Sequence, residues 1–149
     1  MKIEKNDLFL HWFVVGMMLV TLIIYLFICY RFGHELQEPL PETRRVFIRT
    51  IFYGIAIVAF PAINLIRHIQ LRLNQTMPGN KSAKSRYLLT VIVSMSLAEG
   101  IGVLGFVMFM LGDDFNTLYI FTGLSALGLY LYRPKQDEYV RIIEALVDR

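Results

Sequence analysis

Apolar residues in this chain fall in four continuous runs separated by polar segments. The runs cover about residues 8–30, 47–66, 87–111 and 115–132. At a rise of about 1.5 Å per residue, the first and third are long enough to cross a hydrocarbon layer of about 30 Å as single helices. The second approaches that length with a few flanking residues, and the fourth is shorter. The pattern predicts an all-α integral membrane protein with a single domain, a four-transmembrane-helix bundle.

A fifth helix is predicted in the polar tail, residues 133–149, which begins with an Arg-Pro step. Its apolar side chains recur at the i, i+3, i+4 and i+7 spacing that places them on one helix face. These residues are Tyr139, Ile142, Ile143 and Leu146. Glu138 belongs to the opposite, polar face. We therefore expect a short amphipathic helix in the cytoplasm, lying on the membrane surface or on a protein.

Basic residues are distributed unevenly between the two ends of the predicted bundle. With four crossings, eleven of the 15 Lys and Arg residues share a side with both termini, and four lie on the other side. The eleven are Lys2, Lys5, Arg67, Arg72, Lys81, Lys84, Arg86, Arg133, Lys135, Arg141 and Arg149. The positive-inside rule then places both termini in the cytoplasm, and we expect a bacterial cytoplasmic membrane.

Side chains near the ends of the runs are predicted to interact with lipid headgroups. Tyr87 and Tyr132 are placed as aromatic anchors of the membrane interface. Arg49 is expected to extend its guanidinium to the headgroups while its stem stays in the apolar layer. Asp113 and Asp114, in the short third connection, are expected to face water.

The candidate functional residue is Glu99, which stands at the middle of the third run. An ionised acid at the bilayer centre costs about 2.5–3.5 kcal/mol or more, so such a residue is usually protonated, paired or bound to a cation. Ser96 and Gly102 share its helix face, and we take Glu99 and Ser96 as a candidate ion-binding pair. Ala98, Gly102 and Gly105 are small residues that favour close helix contacts.

The residues around Glu99 also resemble a known helix. Over about residues 94–110, Ala98-Glu99, Ile101, Gly105 and Phe106-Val107 are similar to the carboxylate helix of the proteolipid c subunits of rotary ATPases. The resemblance implies that Glu99 is a reversible proton or sodium site in a ring of protomers. It covers only this stretch of the chain.

Three hypotheses for function follow. The first is a non-catalytic accessory or structural subunit of a larger membrane complex, in which Glu99 makes a buried contact at mid-bilayer. The second is a proton- or cation-translocating, c-subunit-like component. The third, more distant, is a haem b membrane anchor that uses His11 and His68 as axial ligands; no other cofactor is expected.

Several function classes have no support in the sequence. It lacks a glycine-rich phosphate loop, a His-Glu-x-x-His motif and a Gly-x-Ser-x-Gly motif, so we expect no enzyme, no catalytic residues and no protein-bound metal centre. The basic residues follow the predicted topology, so no nucleic-acid partner is expected. The expected partners are the lipid bilayer and other membrane subunits or further copies of this chain.

Overall fold

The computed structural model describes residues 7–148, which form five α-helices and no strand. The helices are α1 (Phe9–Leu36), α2 (Glu42–Thr76), α3 (Ala83–Met110), α4 (Phe115–Leu131) and α5 (Gln136–Val147). The all-α prediction is confirmed. Lys2, Lys5 and Arg149, which contribute to the predicted charge asymmetry, lie outside the described residues.

Three of these helices, α1, α2 and α3, are long and apolar enough to cross a membrane. The fourth apolar run forms a helix of 17 residues, which is shorter than the roughly 20 residues of a typical span. The chain is therefore compatible with a membrane-embedded protein that has three full-length spanning helices. The sequence predicts four spanning helices, and three of the observed helices are long enough to span a membrane.

Two helices extend well past the apolar runs that predict them. The first continues to Leu36, and the second begins at Glu42 and continues to Thr76. The flanking residues are mostly polar, but many are good helix formers, and a continuing helix satisfies their backbone groups without a partner. The loop between them is reduced to residues 37–41, where two prolines enforce extended backbone.

The central helix of the fold is α3, which packs against the other four. It forms an antiparallel hairpin with α4, and α1 and α2 each pack on that hairpin. Within residues 7–148, α1 and α2 do not contact each other, so they lie on separate flanks of the hairpin. The core is centred on fully buried side chains of α3, including Val91, Met95 and Ala98.

One end of the bundle is fastened by charged and polar contacts around the α3–α4 turn. Arg49 of α2 pairs with Asp113, with 3.2 Å between Nη1 and Oδ1. Asp113 is buried rather than facing water, because it fills this contact. Asp114 is exposed and caps α4 by accepting from the Thr117 amide at 3.3 Å. Loop 37–41 packs on the same turn, with Glu38 N donating to Met110 O at 2.8 Å.

At the opposite end, the loop between α2 and α3 is organised by Arg86. This buried guanidinium donates to four backbone carbonyls, those of Asn74, Met77, Gly79 and Lys81. The predicted amphipathic helix α5 lies at the same end. It docks on α2 and α3 of its own chain and buries Tyr139 and Ile142 there.

Candidate functional site

Glu99 lies midway along α3, at the edge between the packed face and the exposed face. Ala98, beside it, is fully buried, whereas Ser96 and Gly100 are exposed and Glu99 is half-buried. Tyr25 of α1 is close enough to Glu99 to interact with it electrostatically. Glu99 therefore borders the α1–α3 contact and the lipid-facing surface.

One oxygen of the Glu99 carboxyl, Oε1, is buried and has no hydrogen-bond partner among the described residues. Ser96 does not supply a donor to this atom, although the two residues share a helix face. An unsatisfied buried acceptor costs about 1–3 kcal/mol, and more when it is charged. A group that donates to Oε1 or binds it would remove that cost.

The predicted small residues lie where α3 meets its neighbours most closely. A Cβ atom on Gly105 would be 2.5 Å from Phe121 Cβ of α4, and one on Gly102 would be 2.5 Å from Leu22 Cδ2 of α1. Ser125 of α4 donates to the Ala98 carbonyl at 2.8 Å. The space beside Gly102 is thus filled by side chains of this chain and is not open to an ion.

A second polar cluster, which the sequence did not predict, joins α2, α3 and α5. Arg67 of α2 is 4% exposed and donates to both carboxylate oxygens of Glu138, from Nε to Oε2 at 3.1 Å and from Nη2 to Oε1 at 2.5 Å. The Tyr87 hydroxyl of α3 donates to Glu138 Oε1 at 2.9 Å and accepts from the Lys135 amide at 2.7 Å. Arg67 also donates to the Tyr132 carbonyl at the end of α4. We call Arg67, Tyr87 and Glu138 the arginine cluster.

The arginine cluster corrects three sequence-based assignments. Tyr87 and Tyr132 are buried inside the protein and therefore do not act as interface anchors. The Tyr132 hydroxyl donates to Phe60 O at 2.9 Å. Glu138 turns toward Arg67 instead of facing water. Burial would raise the pKa of Glu138, but the hydrogen bonds and positive charge of Arg67 outweigh it and hold the pKa below its ordinary value.

A signal for this cluster was present in the spacing of α2. Ala56, Ile63 and Arg67 recur at intervals of seven and four residues, and these are the buried residues of that helix. A cation on the core-facing stripe requires a buried acid, because an unpaired charge there is costly. Glu138, four residues before the buried Ile142, is the acid that meets this requirement.

Next to the arginine cluster, a cleft of about 400 Å³ opens between α2, the end of α4 and α5. Its polar wall includes His68, Lys135 and Arg141, and its apolar wall includes Leu71 and Leu131. The three polar side chains are exposed.

The two histidines considered for haem ligation lie in different surroundings. His11 of α1 is fully buried; its Nε2 is 3.2 Å from the Lys84 carbonyl, and its ring stacks on Tyr87 at 5.2 Å between centroids. His68 is exposed on α2, and α1 and α2 are not in contact. Axial ligation needs a free ring nitrogen from each histidine facing one shared space, and this arrangement does not fit. Residues 7–148 also contain no group of three or more His, Cys, Asp or Glu side chains that could hold a metal ion.

Comparison of the chain with protein-family models, with curated proteins and with solved structures found no match. The fold and the geometry of the two polar clusters therefore carry the functional inference.

Proposed function

We propose that this chain is a non-catalytic, multi-pass subunit of a larger membrane complex and that Glu99 contacts a partner within the bilayer. The observation that carries the proposal is the buried, unpartnered Oε1 of Glu99 at the rim of the α1–α3 contact. Lys and Arg residues of this chain fall toward the ends of the apolar segments, so a basic or donor group for Glu99 comes from another molecule. A helix from a neighbouring subunit, seated beside α1 and α3, supplies such a group.

The proposal includes a fourth crossing, by α4. Arg49 and Arg67 are 18 positions apart on α2, which corresponds to about 27 Å along the helix axis. The two ends of α4 are attached to the two ends of this segment: Asp113, just before α4, pairs with Arg49, and the Tyr132 carbonyl, just after it, accepts from Arg67. Because α4 is attached to both ends of this segment of α2, it crosses the same layer as α2. The packing of α4 along α3 offsets its short length.

With four crossings, the ends of α1 and α4 that lead to the termini are on one side of the membrane. That side also carries the basic loop between α2 and α3 and the helix α5. The side richer in Lys and Arg is the cytoplasmic side under the positive-inside rule. The proposed location is a bacterial cytoplasmic membrane with both termini inside.

Gentle extraction followed by native mass spectrometry tests the subunit proposal. The expected result is one copy of this chain in a complex with unrelated chains. Glu99→Gln, which keeps hydrogen-bonding capacity, is expected to leave the complex intact, and Glu99→Leu is expected to reduce its recovery at least tenfold. Thr50→Leu, an exposed position on α2 and away from the α1–α3 contact, is the control and is expected to have no effect. A wild-type protein recovered alone, without partner chains, would contradict the proposal.

The second candidate is a proton- or cation-translocating component in which Glu99 is the ion-binding carboxylate. The same unpartnered oxygen favours it, because a transported cation needs a ligand that the protein does not already occupy. This candidate predicts a symmetric ring of copies of this chain with Glu99 at the seams. It also predicts that Glu99→Gln abolishes ion flux in proteoliposomes while leaving assembly unchanged, an outcome that the subunit proposal does not expect.

A further inference from the structure

The cleft beside the arginine cluster combines charge and apolar surface in a way that the subunit role does not explain. It lies where α2 leaves its apolar segment, with Arg67 forming part of its floor. Lys135, before α5, and Arg141, on α5, line the cleft and are exposed. Leu131, the last residue of α4, and Leu71 of α2 form its apolar side.

The two exposed cations have no ion-pair partner among the described residues, where the only salt bridges are Arg49–Asp113 and Arg67–Glu138. The one acid that lines the cleft, Glu138, is already engaged by both the Nε and Nη2 groups of Arg67. The positive charge of Arg67 is thereby balanced within the protein. Because Lys135 and Arg141 are not paired with any described acid, the cleft carries an excess of positive charge. His68 and Asn64 add polar groups to its lining.

The level of the cleft relative to the membrane also restricts which molecules can bind in it. Arg67 is about 27 Å along α2 from Arg49, so under the proposed four-crossing topology the two guanidiniums lie at the two boundaries of a hydrocarbon layer of about 30 Å. The cleft therefore straddles the level at which acyl chains meet headgroups. Its apolar wall continues along α4, because Leu127, one turn before Leu131, is also exposed.

We infer that this cleft is a binding site for the phosphate group of an anionic phospholipid. The phosphate lies between the Lys135 and Arg141 side chains, with Arg67 and His68 at its inner side. The acyl chains extend past Leu131 along the exposed apolar surface of α4 at Leu127. A basic pocket between helices at the membrane interface is the arrangement expected to select anionic over zwitterionic headgroups.

Native mass spectrometry of the full-length protein in a non-ionic detergent tests this inference. The probes are phosphatidylglycerol and phosphatidylcholine with identical acyl chains, added at equal concentration. The wild-type protein is expected to retain phosphatidylglycerol at least tenfold more strongly than phosphatidylcholine. The double variant Lys135→Gln/Arg141→Gln is expected to lose this preference, and because both side chains are exposed, its thermal unfolding is expected to match the wild type.

Lys81→Gln/Lys84→Gln is the control, since it removes two exposed charges from the same end of the bundle without altering the cleft. Retention of the lipid preference in this control, with its loss in Lys135→Gln/Arg141→Gln, supports the site. An equal loss in both double variants would show general charge attraction and overturn the inference. Displacement of phosphatidylglycerol by millimolar inorganic phosphate would overturn a lipid as the occupant in favour of free phosphate.

Discussion

Arg67 and Glu138 are 71 residues apart in the chain, yet their side chains form a two-pronged ion pair that fixes α5 against the membrane-spanning helices. The pair is shielded from water, with exposed fractions of 4% and 13% for the two side chains. Removal of one partner of such a pair leaves an uncompensated charge, whereas removal of both does not.

The first prediction concerns Glu138→Gln. The substitution keeps the shape of the side chain but leaves the Arg67 charge unbalanced, so we expect the free energy of unfolding to fall by about 3 kcal/mol. Thermal or denaturant unfolding in detergent measures the change. Glu144→Gln, an exposed acid on the same helix, is the control and is expected to change stability by less than about 0.5 kcal/mol. An equal loss in both variants would contradict the role assigned to the pair.

The second prediction is a pH dependence of stability that comes from Glu138. Burial raises the pKa of Glu138, but the hydrogen bonds and charge of Arg67 lower it by more than burial raises it. The native pKa therefore lies below the ordinary 4.5. The unfolded state then binds the proton more readily, and stability falls as the pH drops from about 4.5 through the native pKa. Subtracting the pH profile of Glu138→Gln from that of the wild type isolates this carboxyl. Two profiles of identical slope in this range would show that Glu138 makes no such contribution.

The third prediction ranks three glycine-to-alanine substitutions. A Cβ atom on Gly105 would meet Phe121 Cβ at 2.5 Å, and that atom is held close to the α4 backbone, so Gly105→Ala is expected to cost about 2 kcal/mol or more. Gly102→Ala is expected to cost less, because the close atom is the end of the flexible Leu22 side chain. Gly123→Ala, with nothing within 4 Å, is expected to be neutral or slightly stabilising. Unfolding measurements on the three variants check the order.

The fourth prediction concerns the loop at residues 77–82. Arg86→Lys keeps the charge but cannot reach four carbonyls at once, so we expect the loop to open more often. Amide hydrogen exchange in this loop is expected to accelerate about tenfold, which corresponds to about 1.4 kcal/mol. Lys84→Gln, an exposed neighbour on α3, is expected to leave exchange unchanged. Unchanged protection in Arg86→Lys would show that the loop does not depend on these contacts.

The helices of this protein could be predicted from local pattern, but their lengths only in part. Continuous apolar residues indicate the cores of α1, α2 and α3, and the spacing of Tyr139 and Ile142 indicates α5. Hydropathy carries no information on where a helix ends once it has left the apolar layer. The continuation of α2 to Thr76 therefore depends on helix propensity and on the tertiary contacts of its last turns.

The position of Glu99 could be predicted from sequence, whereas its surroundings could not. Its place at the middle of α3 follows from counting residues along an apolar run. The filling of the space beside Gly102 by Leu22 and Ser125 depends on how three helices pack, which no local pattern specifies. For the arginine cluster, the spacing of α2 places Arg67 on the core-facing stripe, but its partners lie on α3 and α5, and no local pattern brings those helices together.

The attachments at the two ends of α2 have a mechanical consequence for the protein in its membrane. Arg49 and Arg67 fix the height of this helix relative to the α3–α4 hairpin at both ends, so it cannot slide along its neighbours. Under the proposed four-crossing topology, a hydrocarbon layer thicker or thinner than about 27 Å is accommodated by tilting of the bundle as one body or by deformation of the surrounding lipid. The helices therefore meet a change in membrane thickness as one unit of fixed height.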